Sequence, residues 1–345
     1  MVRCALVGCG RVAPRHADSI TALPDTTLVA VADPIESRAN HFATKYGAEA
    51  TTDWHRVLDR SDVDVVHIAT PSGMHADMAV TALEAGKHVL VEKPLALSLA
   101  DADRMIATAQ RTGKRLGVML QNRYNAPMQE LKRLVESGKL GRIHLGSATV
   151  RWYRPQEYYE DGWHGTWAMD GGALMNQSVH HIDALQWLIG EPESVYAQTA
   201  TRIHKMEAED VGVAIVKFRG GALATIEGST ITWPENLEGS VALFGDHGSV
   251  KVGGTALNRK EFWKVDGSLE HEREALTHDR LDPPSVYGQS HQIVTELFAR
   301  AVRDGGPTPA PATDARRSLA VVLGIYESAR TGKPVDLTQA PWTLG

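Results

Sequence analysis

The opening residues constrain the fold most. Residues 3–7 (RCALV) form a short apolar run, and Gly8-Cys9-Gly10-Arg11-Val12-Ala13 follows immediately, ahead of a helix-like stretch. Strand, glycine turn and helix in that order read as G-x-G-x-x-A. The first glycine permits a tight turn, the second lets a pyrophosphate approach the backbone, and the third position accepts alanine where helix meets strand. The bare N–H groups of the helix N-terminus favour an anion there. The next apolar run, 28–32 (LVAVA), ends at Asp33, 25 residues after Gly8. A carboxylate at this point can bond a ribose 2′-hydroxyl and repels a 2′-phosphate, which predicts NAD in preference to NADP. Arg38 is near enough in sequence to soften that preference.

The pattern continues. Apolar runs at 63–69, 88–91 and 115–119 alternate with helix-like stretches at 12–23, 35–46, 74–85 and 99–112. Short, nearly continuous apolar strands separated by helices indicate a parallel sheet covered on both faces. Near residue 121 the texture changes. A helix-like stretch at 126–137 leads to longer, alternating strands at 142–152, 195–201, 211–218, 222–230 and 240–244, with turns such as Gly220-Gly221. A helix is expected at 173–189, and two more at about 289–302 and 313–331. The expected architecture is an α/β Rossmann dinucleotide-binding domain over 1–121. An α+β domain with a large, mostly antiparallel open sheet is expected over 122–345, for substrate binding and oligomerisation.

Composition narrows the partners. The net charge is −6, from 36 basic and 42 acidic side chains with no basic stretch, so no nucleic-acid partner is expected. Two cysteines, Cys4 and Cys9, can build neither a disulfide framework nor a four-ligand zinc site. No apolar run approaches the roughly 20 residues that span a bilayer, and no signal segment precedes the first strand. The expectation is a cytoplasmic protein with no membrane partner.

Three further motifs carry a resemblance. They are Thr70-Pro71-Ser72-Gly73-Met74-His75, then Glu92-Lys93-Pro94, then Gly171-Gly172-Ala173-Leu174-Met175-Asn176-Gln177-Ser178-Val179-His180-His181-Ile182-Asp183. With the glycine turn, their order over about the first 190 residues resembles the glucose–fructose oxidoreductase / inositol dehydrogenase / rhizopine-catabolism (Gfo/Idh/MocA) family. The resemblance implies a nicotinamide cofactor held by Gly8, Gly10, Arg11, Val12, Asp33, Arg38, Thr70, Pro71, Ser72, His75, Glu92, Lys93 and Trp163. It also implies Lys93 beside the reacting hydroxyl, often next to a cis proline bond, and His180 as the second catalytic group. Helix geometry agrees: at about 100° per residue, 176, 180, 183 and 187 share one stripe, while His181 lies near the edge of the core face. Asn176, Asp183, Arg123, Tyr124 and Arg151 are the expected substrate ligands, with Tyr153, Arg154 and Trp167 as further candidates.

The implied activity is hydride transfer between a secondary hydroxyl of a sugar, nucleotide sugar or polyol and the nicotinamide. His180 is the base, Lys93 stabilises the alkoxide, and no metal takes part. Four departures from the family pattern stand out: Asp170 in the first glycine slot, Asn176 for the commoner aspartate, Trp163-His164 for Trp-Arg, and Ser72 for asparagine. The asparagine resembles the branch of UDP-N-acetyl-glucosaminuronate 3-dehydrogenases. Two competing readings remain. An NAD-dependent glycoside hydrolase would carry a Tyr-Pro-Thr-His-type motif where this chain has Asn-Gln-Ser-Val-His. A non-catalytic NAD-binding regulator would be expected to lose the lysine or the histidine. Relatives commonly pair through the open sheet, so a homodimer or homotetramer is expected.

Overall fold

The computed structural model describes residues 1–254, 256–267 and 290–338. These form two compact units, residues 1–120 with 290–316, and 121–267 with 317–338.

The first unit is built on six parallel strands: β1 (Val2–Val7), β2 (Thr26–Ala32), β3 (Glu49–Thr51), β4 (Val65–Ile68), β5 (His88–Val91) and β6 (Leu116–Val118). Their order is β3-β2-β1-β4-β5-β6. The chain steps outward from β1 to β3 and then returns to β4. The switch point therefore lies between β1 and β4, beside the glycine turn, where α/β sheets bind ligands. The connecting helices are α1 (Ala13–Ala22), α2 (Glu36–Tyr46), the short α3 (His55–Leu58), α4 (His75–Glu84) and α5 (Leu99–Thr112). Strands β4 and β6 are buried at every residue, as a sheet covered on both faces requires.

Residues 290–316 pack with this unit, whereas the division expected from sequence gives them to the second. The helix α8 (His291–Asp304) lies against α1. Its Phe298 ring sits on β6 so closely that a Cβ on Gly117 would come within 2.9 Å of it. Just beyond α8, the Ala310 carbonyl accepts from Val118 N–H at 3.1 Å. The periodicity of α8 announces an apolar face; nothing in the sequence says which surface covers it. The expected start of this helix, Gln289, lies outside the described residues. The next helix, α9 (Ala312–Thr331), begins in the first unit and continues into the second.

The second unit holds α6 (Ala126–Glu136), α7 (Val179–Ile189) and eight strands: β7 (Ile143–Arg151), β8 (Pro192–Ala200), β9 (Val211–Phe218), β10 (Leu223–Ser229), β11 (Glu238–Gly245), β12 (Gly248–Gly253), β13 (Arg259–Val265) and β14 (Val335–Asp336). The order is β13-β12-β11-β7-β10-β9-β8-β14. β7 and β10 pair in parallel and the other neighbours are antiparallel. One face is covered by α7: a Cβ on Gly146 of β7 would lie 2.6 Å from Ile189 and 3.0 Å from Leu185. The opposite face leaves Leu145, Val213, Ile215 and Leu223 about half exposed on neighbouring strands.

Phe298 is the anchor of α8, and only 1% of it is exposed. Phe298→Ala is expected to cost about 3–5 kcal/mol, read as a lowered denaturant midpoint. A loss below about 1 kcal/mol would show that α8 contributes little to the first unit.

Candidate functional site

In the first unit, Gly8 has φ +94°, and a Cβ there would lie 2.5 Å from the Ala69 carbonyl oxygen at the end of β4. Only glycine meets both demands. At Gly10 an added Cβ would meet no atom within 4 Å. The backbone is bare on that side, as a pyrophosphate cradle requires. Val12 and the exposed Arg11 complete the turn before α1. Asp33 does more than the sequence implies: its Oδ2 accepts the Cys9 N–H at 2.8 Å and its Oδ1 the Ile35 N–H at 2.9 Å. It fixes the turn while each oxygen keeps a second lone pair for a ribose hydroxyl. Arg38 on α2 is exposed and acts electrostatically on Cys9. Burial, with Asp33 adding to it, pushes the Cys9 thiol up to about 12.

The second cradle segment is Thr70-Pro71-Ser72, with Thr70 and Pro71 partly exposed and Ser72 buried. His75 ties it to the lysine corner: its ring nitrogens lie 3.0 Å from the Thr70 carbonyl and 2.8 Å from the Pro94 carbonyl. The Lys93–Pro94 peptide is cis, and Lys93 is partly exposed. Glu92, expected at the cofactor, turns inward instead. Its Oε1 lies 2.9 Å from His16 Nε2, and its Oε2 accepts the Lys93 N–H at 3.2 Å. A carboxylate directly after a buried strand reaches imidazoles inside the unit, which makes it a support for the corner.

In the second unit, the helix expected from residue 173 starts at Val179, and residues 173–178 form successive turns. The cause lies beneath them. Glu209 Oε1 accepts the Leu174 N–H at 2.8 Å and the Tyr326 hydroxyl at 3.1 Å, and a Cβ on Gly172 would overlap Glu209. Burial pushes the Glu209 carboxyl up to about 8, so it is largely protonated at neutral pH. Asn176 therefore precedes α7; its Nδ2 donates to Asp170 Oδ1 at 2.6 Å. His180 is in α7, and Gln121 Nε2 lies 3.2 Å from His180 Nε2. The amide donates, so that imidazole nitrogen holds a lone pair. Gln121 is a residue that sequence reasoning missed, because it closes the expected first domain and matches no motif.

The expected substrate ligands divide. Arg123 and Asp183 face each other in a buried two-pronged pair, Nε–Oδ2 2.7 Å and Nη2–Oδ1 2.8 Å, and the Ser318 hydroxyl donates to the same carboxylate at 2.6 Å. Here the two residues are core partners; neither is open to a sugar. Arg151 reaches Glu227 at 2.6 Å and Glu238 at 2.9 Å across the sheet. Tyr124 is partly exposed in the turn Gln121–Tyr124. Trp163, expected at the cofactor, belongs to the second unit and stacks on His164 with 3.6 Å between ring centroids. His164 is bonded to Asp161 at 2.6 Å. Arg154 lies over the Trp152 and Tyr158 rings, 5.2 and 5.6 Å from their centroids.

Comparison with known proteins fits this arrangement. Residues 2–120 match an oxidoreductase family with an NAD-binding Rossmann fold, and residues 128–251 match the GFO/IDH/MocA C-terminal domain. The myo-inositol 2-dehydrogenase of Thermotoga maritima is 30% identical, over 98% of this chain and 99% of that one. The chain belongs to the GFO/IDH/MocA oxidoreductase family. The scyllo-inositol 2-dehydrogenase (NAD(+)) of Bacillus subtilis is 27% identical, over 97% of this chain and 96% of that one. A crystal structure of the WlbA dehydrogenase from Bordetella pertussis, in complex with NADH and UDP-GlcNAcA, is 38% identical over 98% of each chain, with a TM-score of 0.92.

Within this GFO/IDH/MocA oxidoreductase, two departures from the family pattern are one arrangement. Asp170 occupies a glycine slot, and it is the acceptor for Asn176, which occupies an aspartate slot. Its other oxygen accepts the Gly165 N–H at 2.9 Å. An aspartate at 176 would bring a half-buried carboxylate against the buried carboxylate of Asp170. Asn176→Asp is expected to destabilise by about 1–3 kcal/mol, and Asp170→Gly in the same chain to recover part of that loss. Melting of the two single variants and the double variant measures the coupling; additive effects would show that the positions are independent.

His181 points into the core, edge-on to Trp152 at 5.8 Å, with neither ring nitrogen hydrogen-bonded among the described residues. Burial lowers its imidazole to about 4. Between pH 6.5 and 4 the unfolded chain takes up a proton that the folded chain refuses, so stability falls as pH drops through that window, by on the order of 3 kcal/mol. His181→Leu is expected to flatten this part of a stability–pH profile. An unchanged profile would mean that another group controls the acid limb.

Proposed function

We propose that this oxidoreductase transfers a hydride between NAD and a secondary hydroxyl of a nucleotide-linked sugar acid. The observation that carries this reading is the likeness to the WlbA structure with NADH and UDP-GlcNAcA. It stands at 38% identity over 98% of both chains, against 30% for the T. maritima inositol enzyme. The Asp170–Asn176 pair supports it, since Asn176 offers an anchor for a hydroxyl that does not titrate. Of the arginines among the candidate substrate ligands, Arg123 and Arg151 are paired with carboxylates. Arg154 meets only the Tyr153 carbonyl, the Asn236 amide oxygen and two ring faces among the described residues. It is our candidate for the diphosphate or carboxylate.

The glycine turn, bare at Gly10 and with Asp33 beside it, fits a dinucleotide without a 2′-phosphate. When bound, the nicotinamide accepts or returns the hydride. His180 takes the hydroxyl proton on Nε2, the lone pair that accepts the Gln121 amide here turning to the substrate hydroxyl for that step. Lys93 supplies the positive charge that steadies the developing alkoxide, and Gln121 orients His180. The half-exposed apolar face formed by Leu145, Val213, Ile215 and Leu223 suits pairing with a second copy, giving a homodimer or homotetramer.

The test is a dehydrogenase screen with NAD against UDP-sugar acids, free sugars and inositols. Turnover of UDP-sugar acids is expected, with Arg154→Ala raising KM more than it lowers kcat. Turnover of inositols alone would withdraw the nucleotide sugar and leave the dehydrogenase. Binding of NAD with no turnover of any alcohol would favour a regulator. Lys93→Met and His180→Asn should each lower kcat by about 10²–10⁴-fold with NAD binding retained. In a separate assay, kcat/KM should favour NAD over NADP, and Asp33→Ser should narrow the gap; an NADP preference in the native chain would overturn the assignment of Asp33.

A further inference from the structure

Among the described residues of the first unit, three ligating side chains from three elements converge in the interior. His16 comes from α1, Glu92 from the corner after β5, and His291 from the first turn of α8. His16 Nε2 lies 2.9 Å from Glu92 Oε1, and His291 Nε2 lies 3.6 Å from the same oxygen. All three residues are more than nine-tenths buried. A fourth residue, His67 on β4, stands behind them, its Nδ1 3.0 Å from His16 Nδ1.

We infer that His16, Glu92 and His291 form a structural site for one divalent transition-metal ion of the zinc class. Two imidazoles and a carboxylate suit zinc, cobalt or iron(II), whereas magnesium and calcium need mostly oxygen donors. Tetrahedral bonds of about 2.0–2.2 Å place donor atoms about 3.4 Å apart, and the observed 2.9 and 3.6 Å bracket that separation. The surrounding bonds also fit. Ligation through His16 Nε2 leaves the proton on Nδ1, where His67 Nδ1 accepts it, and a ligating histidine usually has such a partner. Glu92 is oriented in turn by the Lys93 N–H on its other oxygen.

The alternative is a metal-free network, and it makes an opposite demand on one atom. A carboxylate only accepts, so without an ion His16 must carry its proton on Nε2 to bond Glu92. The two states thus differ in the protonation of His16, and they differ in stability. An ion bridging His16 and Glu92 to His291 ties α8 to the parallel sheet and becomes part of the folding free energy of that unit. This role is separate from hydride transfer, which needs no metal in the scheme above.

The experiment uses the full-length protein after chelator treatment, titrated with Zn²⁺ or Co²⁺ alone. The expected results are one ion per chain by elemental analysis, a tetrahedral visible band with Co²⁺, and a Tm raised by about 4 °C at about 100-fold excess over Kd. His291→Leu should lose the ion and the shift. His144→Ala, which removes an exposed histidine beside Asp246, should keep both. No stoichiometric ion in the native chain, or a shift that survives His291→Leu, overturns the proposal. Should His291→Leu fail to fold, ¹⁵N shifts of the native histidines decide. A His16 proton on Nδ1 with the ion added supports the site, and one retained on Nε2 refutes it.

Discussion

The glycine turn has to pass beneath the end of a neighbouring strand, and the first unit is arranged around that closeness. Gly8 lies where any side chain would strike the Ala69 carbonyl. The loop from β4 that carries Thr70 and Ser72 can therefore lie beside the loop from β1. Asp33 then bonds the Cys9 N–H and locks the turn from the other side. The candidate cofactor cradle consists of three strand ends, and each holds a neighbour's backbone in place. His75 continues the chain of support to the Pro94 carbonyl and so to the lysine corner.

In the second unit the comparable constraint is buried polarity. Nearly every residue of α7 is buried, including His180, His181 and Asp183. Such a helix is stable only where its polar groups are answered. Arg123 and Ser318 answer Asp183, Gln121 answers His180, and burial keeps His181 neutral. The turns ahead of the helix rest on Glu209, which burial keeps largely protonated at neutral pH. The candidate base is thus held by groups that resemble a core more than a binding surface, and Asn176 with Asp170 stands at its edge.

Family membership and this geometry meet most closely at the points where the chain departs from the family pattern. A glycine slot filled by Asp170 and an aspartate slot filled by Asn176 look like two unrelated irregularities in sequence. In space they are donor and acceptor of one hydrogen bond. Glu92 shows the reverse. Its motif is one of those that carry the family resemblance, yet the side chain serves the interior cluster of His16 and His291.

The sequence alone determined the parallel sheet, the glycine turn and the place of Asp33 at the end of β2, because each follows from local periodicity or from a steric demand at a single position. It did not reveal β3, β12, β13 or β14, which are short or lie at or near sheet edges where alternation is weak. It began α7 too early, since helical spacing from 173 to 178 says nothing of a carboxyl beneath the turns. It could not assign α8 to a unit, nor tell that Arg123, Arg151 and Asp183 are paired with other residues of the chain. An apolar face or a charge specifies only that a partner is needed. Which partner arrives is decided by contacts between residues up to hundreds of positions apart, and only the tertiary structure brings those together.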